Sequence, residues 1–144
     1  MTDTIQLVLP SKSDYTSVLR VFLASLCGRL DYTVDDIETI KLAVSEAYTN
    51  SIKHAYKLKP LGPTTISIDV LPDELRIQVQ DQGDGFDVNS VEKKHNFDAL
   101  DSIDVGMGVG LTFMKSLMSA VTIESTLGHG TTVTLVKTHD AKRV

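Results

Sequence analysis

Apolar and polar positions along the chain divide it into short strands and longer helices. Ile5 to Leu9 carries an alternating run that Pro10 stops, which predicts a first strand. Ser11 or Ser13 can cap a helix running to about Arg29, with Val18, Leu19, Phe22, Leu23 and Leu26 on one face and Gly28 near its end. Thr33 is a good cap for a second helix, and Asp35, Asp36 and Glu38 in or near its first turn complement the helix dipole. That helix is expected to reach about Tyr56, before the turn-rich "KLKPLGP". Thr64–Leu71 and Glu74–Asp81 read as strands joined at Pro72-Asp73. A polar stretch of little periodicity, Val88 to Val105, leads through "GMGVG" to an apolar helix, Leu111 to Met118. Val121–Ser125 and Thr131–Thr138 are two last strands around "TLGHG".

Adjacent strands in hairpins imply a mixed, mostly antiparallel sheet with helices gathered on one face. The fold class is therefore α+β, a two-layer α/β sandwich, and 144 residues are expected to make one domain, 1–144. The formal net charge of -5, with no basic run, argues against broad nucleic-acid binding. The start lacks a basic flank with an apolar core, and no run approaches the ~20 apolar residues of a membrane span. A lone cysteine, Cys27, forms no internal disulfide and sits among Phe22, Leu23, Ala24, Leu26 and Leu30, so it reads as core packing. A cytoplasmic protein, with no membrane and no nucleic-acid partner, is the expectation.

Candidate chemistry collects in four places. In "SEAYTNSIKHAY", Glu46, Asn50 and His54 follow one another at four-residue spacing, one stripe on a helix. The bland reading is a solvated polar face; the sharper one is an acid, an amide and an imidazole turned toward one pocket. Asparagine is a poor zinc ligand, but its amide oxygen suits Mg²⁺. "DQGDGFD", Asp81 to Asp87, packs two glycines and three aspartates directly after a strand. In "GMGVGL", Gly106, Gly108 and Gly110 alternate before the apolar helix, where exposed N–H groups suit phosphates, or where a flexible hinge would serve. No G-x-x-x-x-G-K-[ST] occurs, which excludes a P-loop ATPase. "TLGHGTTVTL" reads alone as a hairpin turn.

In this order the four pieces resemble the Bergerat ATP-binding fold of the GHKL superfamily, which includes histidine kinases, the ninety-kilodalton heat-shock chaperones, type II topoisomerases and MutL. "EAYTNSIKHAY" is similar to the N box, "DQGDGFD" and "GMGVGL" to the two glycine boxes, and "GTTVTL" to the last box. Over nearly the whole chain, "GRLDYTVDDIETIKLAVSEA" included, the sequence most resembles the anti-sigma-factor serine-protein kinases of the RsbW and SpoIIAB type. The resemblance implies that Asp81 accepts from the adenine amine and that Gly83 and Gly85 let the base lie against backbone. It implies Asn50 as the Mg²⁺ ligand and Glu46 as the catalytic acid-base residue. Gly106, Gly108, Val109, Gly110 and Leu111 would form the loop at the phosphates, and Val88 to Val105 the ATP lid. Thr131 or Thr132 would touch the water network beside adenine, and His54 would have a structural or phosphate-side role. The cofactors implied are ATP/ADP and Mg²⁺. The partners implied are a STAS-domain anti-anti-sigma protein as substrate, an RNA polymerase sigma factor, and a second copy in a homodimer. Other readings compatible with the same motifs are an RsbT-like switch kinase that binds no sigma factor, and a module that binds ATP without transferring phosphate.

Overall fold

The computed structural model describes residues 2–55, 62–85 and 104–139, and for 54, 55 and 104–107 it describes the backbone alone. The first strand, β1 (Asp3–Pro10), leads through a short 3-10 turn, Ser13–Tyr15, into helix α1 (Thr16–Cys27). Helix α2 (Val34–Asn50) continues as a π-helical turn, Ser51–Ala55. Strands β2 (Pro63–Val70) and β3 (Glu74–Asp81) follow, then helix α3 (Asp104–Leu117) and strands β4 (Ala120–Thr126) and β5 (Gly130–Thr138). The sheet order is β1-β2-β3-β5-β4. Every pairing is antiparallel, so the mixed sheet expected from the sequence is antiparallel throughout. Each link between adjacent strands in this order can then be a hairpin or a helical excursion, and no parallel crossover is needed.

One face of the sheet is covered. Along β3, Leu75, Ile77, Val79 and Asp81 are buried while Arg76, Gln78 and Gln80 stand exposed, the two-residue period that a half-buried strand requires. Ile66 and Ile68 of β2 and Val133 and Leu135 of β5 continue the same apolar face. Against it pack Leu19, Leu23 and Cys27 of α1, Ile40, Val44, Ala47 and Tyr48 of α2, and Leu111 and Met114 of α3. Cys27 is wholly buried, and desolvation pushes its thiol up to about 11, which keeps it protonated and inert.

Local chemistry sets the ends of the elements. The Thr33 hydroxyl accepts from Asp36 N–H at 3.1 Å, an N-cap typically contributing about 1 kcal/mol. Neither Ser11 nor Ser13 caps α1, whose N-cap position is Tyr15 with no side-chain hydrogen bond; Ser11 serves elsewhere. Its hydroxyl, buried, donates to the Gly62 carbonyl at 2.6 Å and lies 2.7 Å from the Thr64 hydroxyl, tying the end of β1 to the start of β2. Tyr48 anchors the same junction from α2. Its hydroxyl lies 2.5 Å from the Pro10 carbonyl and 2.8 Å from the Lys12 carbonyl, either of which it can donate to, and accepts from Lys12 N–H at 3.3 Å. At the other end of the molecule, the Lys137 ammonium donates to the Leu117 carbonyl at 3.1 Å and stands 3.8 Å from Asp36. One lysine thus joins the end of α3 to the start of α2, and the two helices run antiparallel across the sheet.

Candidate nucleotide and phosphotransfer site

Asp81 ends β3 with its side chain on the covered face, 4% exposed. The strand register sets Thr64 of β2 on one side of it and Thr131 of β5 on the other. Its carboxylate is held from three directions: Oδ1 accepts from Gly83 N–H at 3.0 Å and Thr131 N–H at 3.2 Å, and Oδ2 accepts from the Ser51 hydroxyl at 3.1 Å. Burial raises the Asp81 pKa above its ordinary value, and these three donors oppose that rise while Asp84 adds to it. With Oδ1 doubly bonded and Oδ2 singly bonded, the geometry leaves acceptor capacity on Oδ2 for a donor arriving in the cleft.

Ser51 was not legible as a site residue. An α-helix of uniform period puts it with the apolar positions Ala47 and Tyr48, one turn earlier. Ser51 keeps helical dihedrals, φ -56° and ψ -46°, and its N–H still reaches the Ala47 carbonyl, so this covered face of the helix carries the hydroxyl to Asp81 and the π turn follows. The helix expected to run to about Tyr56 is α-helical to Asn50 and continues as the π turn to Ala55. His54 lies on the π turn, and its side chain is outside the described residues.

The glycines around Asp81 matter because backbone meets backbone. Gly85 has φ +68°, and a Cβ placed on it would fall 2.0 Å from the Thr126 carbonyl oxygen. Gly130 has φ +90°, and its Cβ would fall 2.3 Å from the Asp81 carbonyl oxygen. Gly128 N–H donates to the Asp84 carbonyl. The β4–β5 turn and the segment after β3 are thus clasped through main-chain atoms, which only glycine permits at these φ values and distances. Gly83 contributes its N–H to Asp81.

The second half of the site faces α3. A Cβ on Gly110 would stand 2.8 Å from Asn50 Nδ2, 3.4 Å from Asn50 Oδ1 and 3.4 Å from the Glu46 carboxyl carbon. Glu46, half-buried, and Asn50, 5% exposed, therefore lie side by side against the bare backbone of α3. Asn50 Nδ2 is buried with no hydrogen-bond partner among the described residues, a polar group placed for something other than protein. The three glycines of "GMGVG" do not precede the helix as expected. α3 starts at Asp104, so Gly106, Gly108 and Gly110 occupy its first two turns. Glycine's low helix propensity predicted a loop, and packing of the helix against α2 overrides it. Val109 points outward at 59% exposure, whereas Leu111 is a core residue. Among the described residues no three His, Cys, Asp or Glu side chains gather as a metal cage.

Thr131 and Thr132 separate. Thr131 is buried beside Asp81, and its hydroxyl lies 2.8 Å from that of Ser125. Thr132 pairs with Gln80 and falls on the sheet's other face, away from Asp81, because strand neighbours alternate. Of the expected lid, Val88 to Val105, residues 88–103 lie outside the described ones, as do Phe86 and Asp87; Asp104 and Val105 open α3.

Comparison with known proteins fits this geometry. The family model described as histidine kinase-like ATPase domain matches residues 9–137. The serine-protein kinase RsbW of Bacillus licheniformis is 36% identical, with 99% of this chain and 89% of the relative covered. The serine-protein kinase RsbW of Staphylococcus aureus is 37% identical, with 94% and 86% covered. Among solved structures, the RsbU and RsbW domains of a Mycobacterium tuberculosis protein align with a TM-score of 0.69 at 19% identity, covering 94% of this chain and 32% of that one. The histidine kinase domain of a blue-light activated kinase from Erythrobacter litoralis aligns with a TM-score of 0.58 at 22% identity, covering 89% and 60%. These structures show the shared fold; the sequence relatives show the kinship. The chain belongs to the histidine kinase-like ATPase domain family and, within it, to the serine-protein kinases of the RsbW type.

Proposed function

We propose that the cleft between α2, α3 and the Asp81 end of the sheet binds Mg·ATP, and that the protein transfers the γ-phosphoryl group to a serine or threonine of a STAS-domain anti-anti-sigma protein. The observation that carries this is the pairing of two half-sites on one helix and its π turn. Ser51 reaches the buried Asp81, while Asn50, the residue before it, and Glu46, about one turn earlier still, lie against Gly110. Asp81 Oδ2 would accept from the adenine amine, with Gly83 and Gly85 keeping backbone close to the base and Thr131 beside it. Asn50 would hold Mg²⁺ through its amide oxygen, the atom of that side chain that suits the ion, from its place beside Glu46 against Gly110. The bound ion would neutralise phosphate charge. The first two turns of α3, which carry Gly106, Gly108 and Gly110, would present side-chain-free backbone to the phosphates, and His54 would have a structural or phosphate-side role.

Glu46 would take the proton of the incoming hydroxyl as its oxygen attacks the γ-phosphorus and the bond to the bridging oxygen of ADP breaks. Catalysis would rest chiefly on positioning and charge stabilisation, with the general base contributing ~10²–10⁴-fold. The protein would also sequester an RNA polymerase sigma factor, act as a homodimer and work in the cytoplasm. Among the described residues no helix is long and apolar enough to cross a membrane. Copurification of a sigma factor from cells separates this reading from an RsbT-like switch kinase.

The decisive experiment is Glu46→Gln, assayed for ATP affinity by calorimetry and for labelled phosphate transfer to a purified STAS-domain protein at saturating ATP. Affinity should stay within a fewfold of the wild type while transfer falls ~10²–10⁴-fold. Wild-type transfer by this variant would remove Glu46 from the mechanism.

A further inference from the structure

We propose that the flank of the α2–α3 pair carrying Leu42 and Phe113 is where the acceptor protein docks, taking apolar side chains that border the hydroxyl to be phosphorylated. This rests on the kinase reading above and names the surface through which it selects its substrate.

The placement follows from the two helices. Gly110 of α3 lies against Glu46 and Asn50, near the end of α2. Lys137 joins the end of α3, at Leu117, to the start of α2, at Asp36. The helices are therefore antiparallel, and Phe113, one turn past Gly110, lies level with the α2 turn before Glu46. Leu42 is on that turn, four residues before Glu46 on the same side of α2. Leu42 is 43% exposed and Phe113 40% exposed, and Val109 extends the strip at 59%.

Phe113 is the one aromatic among the large apolar side chains that stand exposed in the described residues. Aromatic residues are enriched at the buried centres of protein interfaces. Leu42 lies one α2 turn before Glu46, where the acceptor hydroxyl would arrive in the proposed reaction, so the occupant of this flank is the macromolecule that brings the hydroxyl. The cleft of about 230 Å³ bounded by Arg29, Tyr32, Leu75 and His139 cannot play this part. It lies at the Leu75 end of β3, the opposite end from Asp81.

The test uses the full chain with Leu42→Ser and Phe113→Ser, singly and together, and Phe113→Leu as the conservative control. Labelled ATP and a purified STAS-domain acceptor give KM and kcat for the acceptor; calorimetry gives ATP affinity. The double variant should raise the acceptor KM by ~10- to 100-fold, as loss of a central apolar anchor does. Its ATP affinity and its kcat at saturating acceptor should hold, and Phe113→Leu should stay near the wild type. An unchanged KM with intact ATP binding would overturn the proposal while leaving the kinase reading in place. An unchanged KM with a changed oligomeric mass would overturn it in favour of a second copy of this chain. Failure of the wild type to phosphorylate any STAS acceptor would remove the kinase reading, and the docking surface with it.

Discussion

Asp81 is costly to bury and is nevertheless held at the end of β3 by three donors. The hydrogen bonds from Ser51, Gly83 and Thr131 define where a ligand donor can reach the carboxylate, and Asp81→Asn changes that most directly. Losing a charge-assisted hydrogen bond typically removes ~1.5–3 kcal/mol, so ATP affinity should fall roughly ten- to a hundredfold by calorimetry. Stability should move otherwise. Burial raises the Asp81 pKa above its ordinary 3.8, so the folded state binds this proton more tightly than the unfolded state. The contribution is then fully present below 3.8 and is lost as pH rises through the folded value. Without ligand, Asp81→Asn should therefore gain stability relative to the wild type as pH is raised from about 4 to about 7, read by chemical denaturation. A gain in the opposite direction would show that the three donors outweigh desolvation.

At the scale of elements, two substitutions separate packing from function. Gly110→Ala should favour α3 by up to ~1 kcal/mol through helix propensity, but its methyl would enter the space of Asn50 Nδ2. We expect a melting temperature at or above that of the wild type, with phosphotransfer reduced at least ~10-fold through the displaced amide. Gly85→Ala is different, because the obstacle is the Thr126 carbonyl and φ is +68°. It should destabilise by ~2 kcal/mol or more and weaken nucleotide binding together, since the β4–β5 turn must move.

The strands and their facing were readable because two-residue alternation is strong at Leu75, Ile77 and Val79. So was α2, with its Thr33 cap. Glu46 and Asn50 were recognisable by their spacing, and their approach to Gly110 was not, because it depends on how α3 crosses α2. The start of α3 was misplaced because propensity speaks against three glycines in two turns. Ser51 was hidden because it falls among the apolar positions of α2's covered face, and its partner Asp81 comes from a strand 30 residues further along. Choosing between Thr131 and Thr132 required the register with β3, which a single strand's sequence does not contain.

For the molecule as a whole, ligand and fold should stabilise each other. A nucleotide that binds only the folded chain adds about 2.7 kcal/mol at a hundred times its Kd. Mg·ATP and Mg·ADP should both raise the melting temperature in proportion to the logarithm of their concentration. Absence of any shift at millimolar nucleotide would contradict the ATP site. The main-chain clasp between the β4–β5 turn and the segment after β3 bears on how such a protein can diversify. It depends on the path of the backbone and on a few glycines, with no side-chain pair that must change in step. Sequence drift across most of the surface can therefore leave the base end of the cleft intact. Leu42 and Phe113, outside that clasp, are free to vary with each new acceptor. One nucleotide scaffold can then be copied and assigned to separate signalling circuits, with cross-talk limited by a few exposed apolar positions.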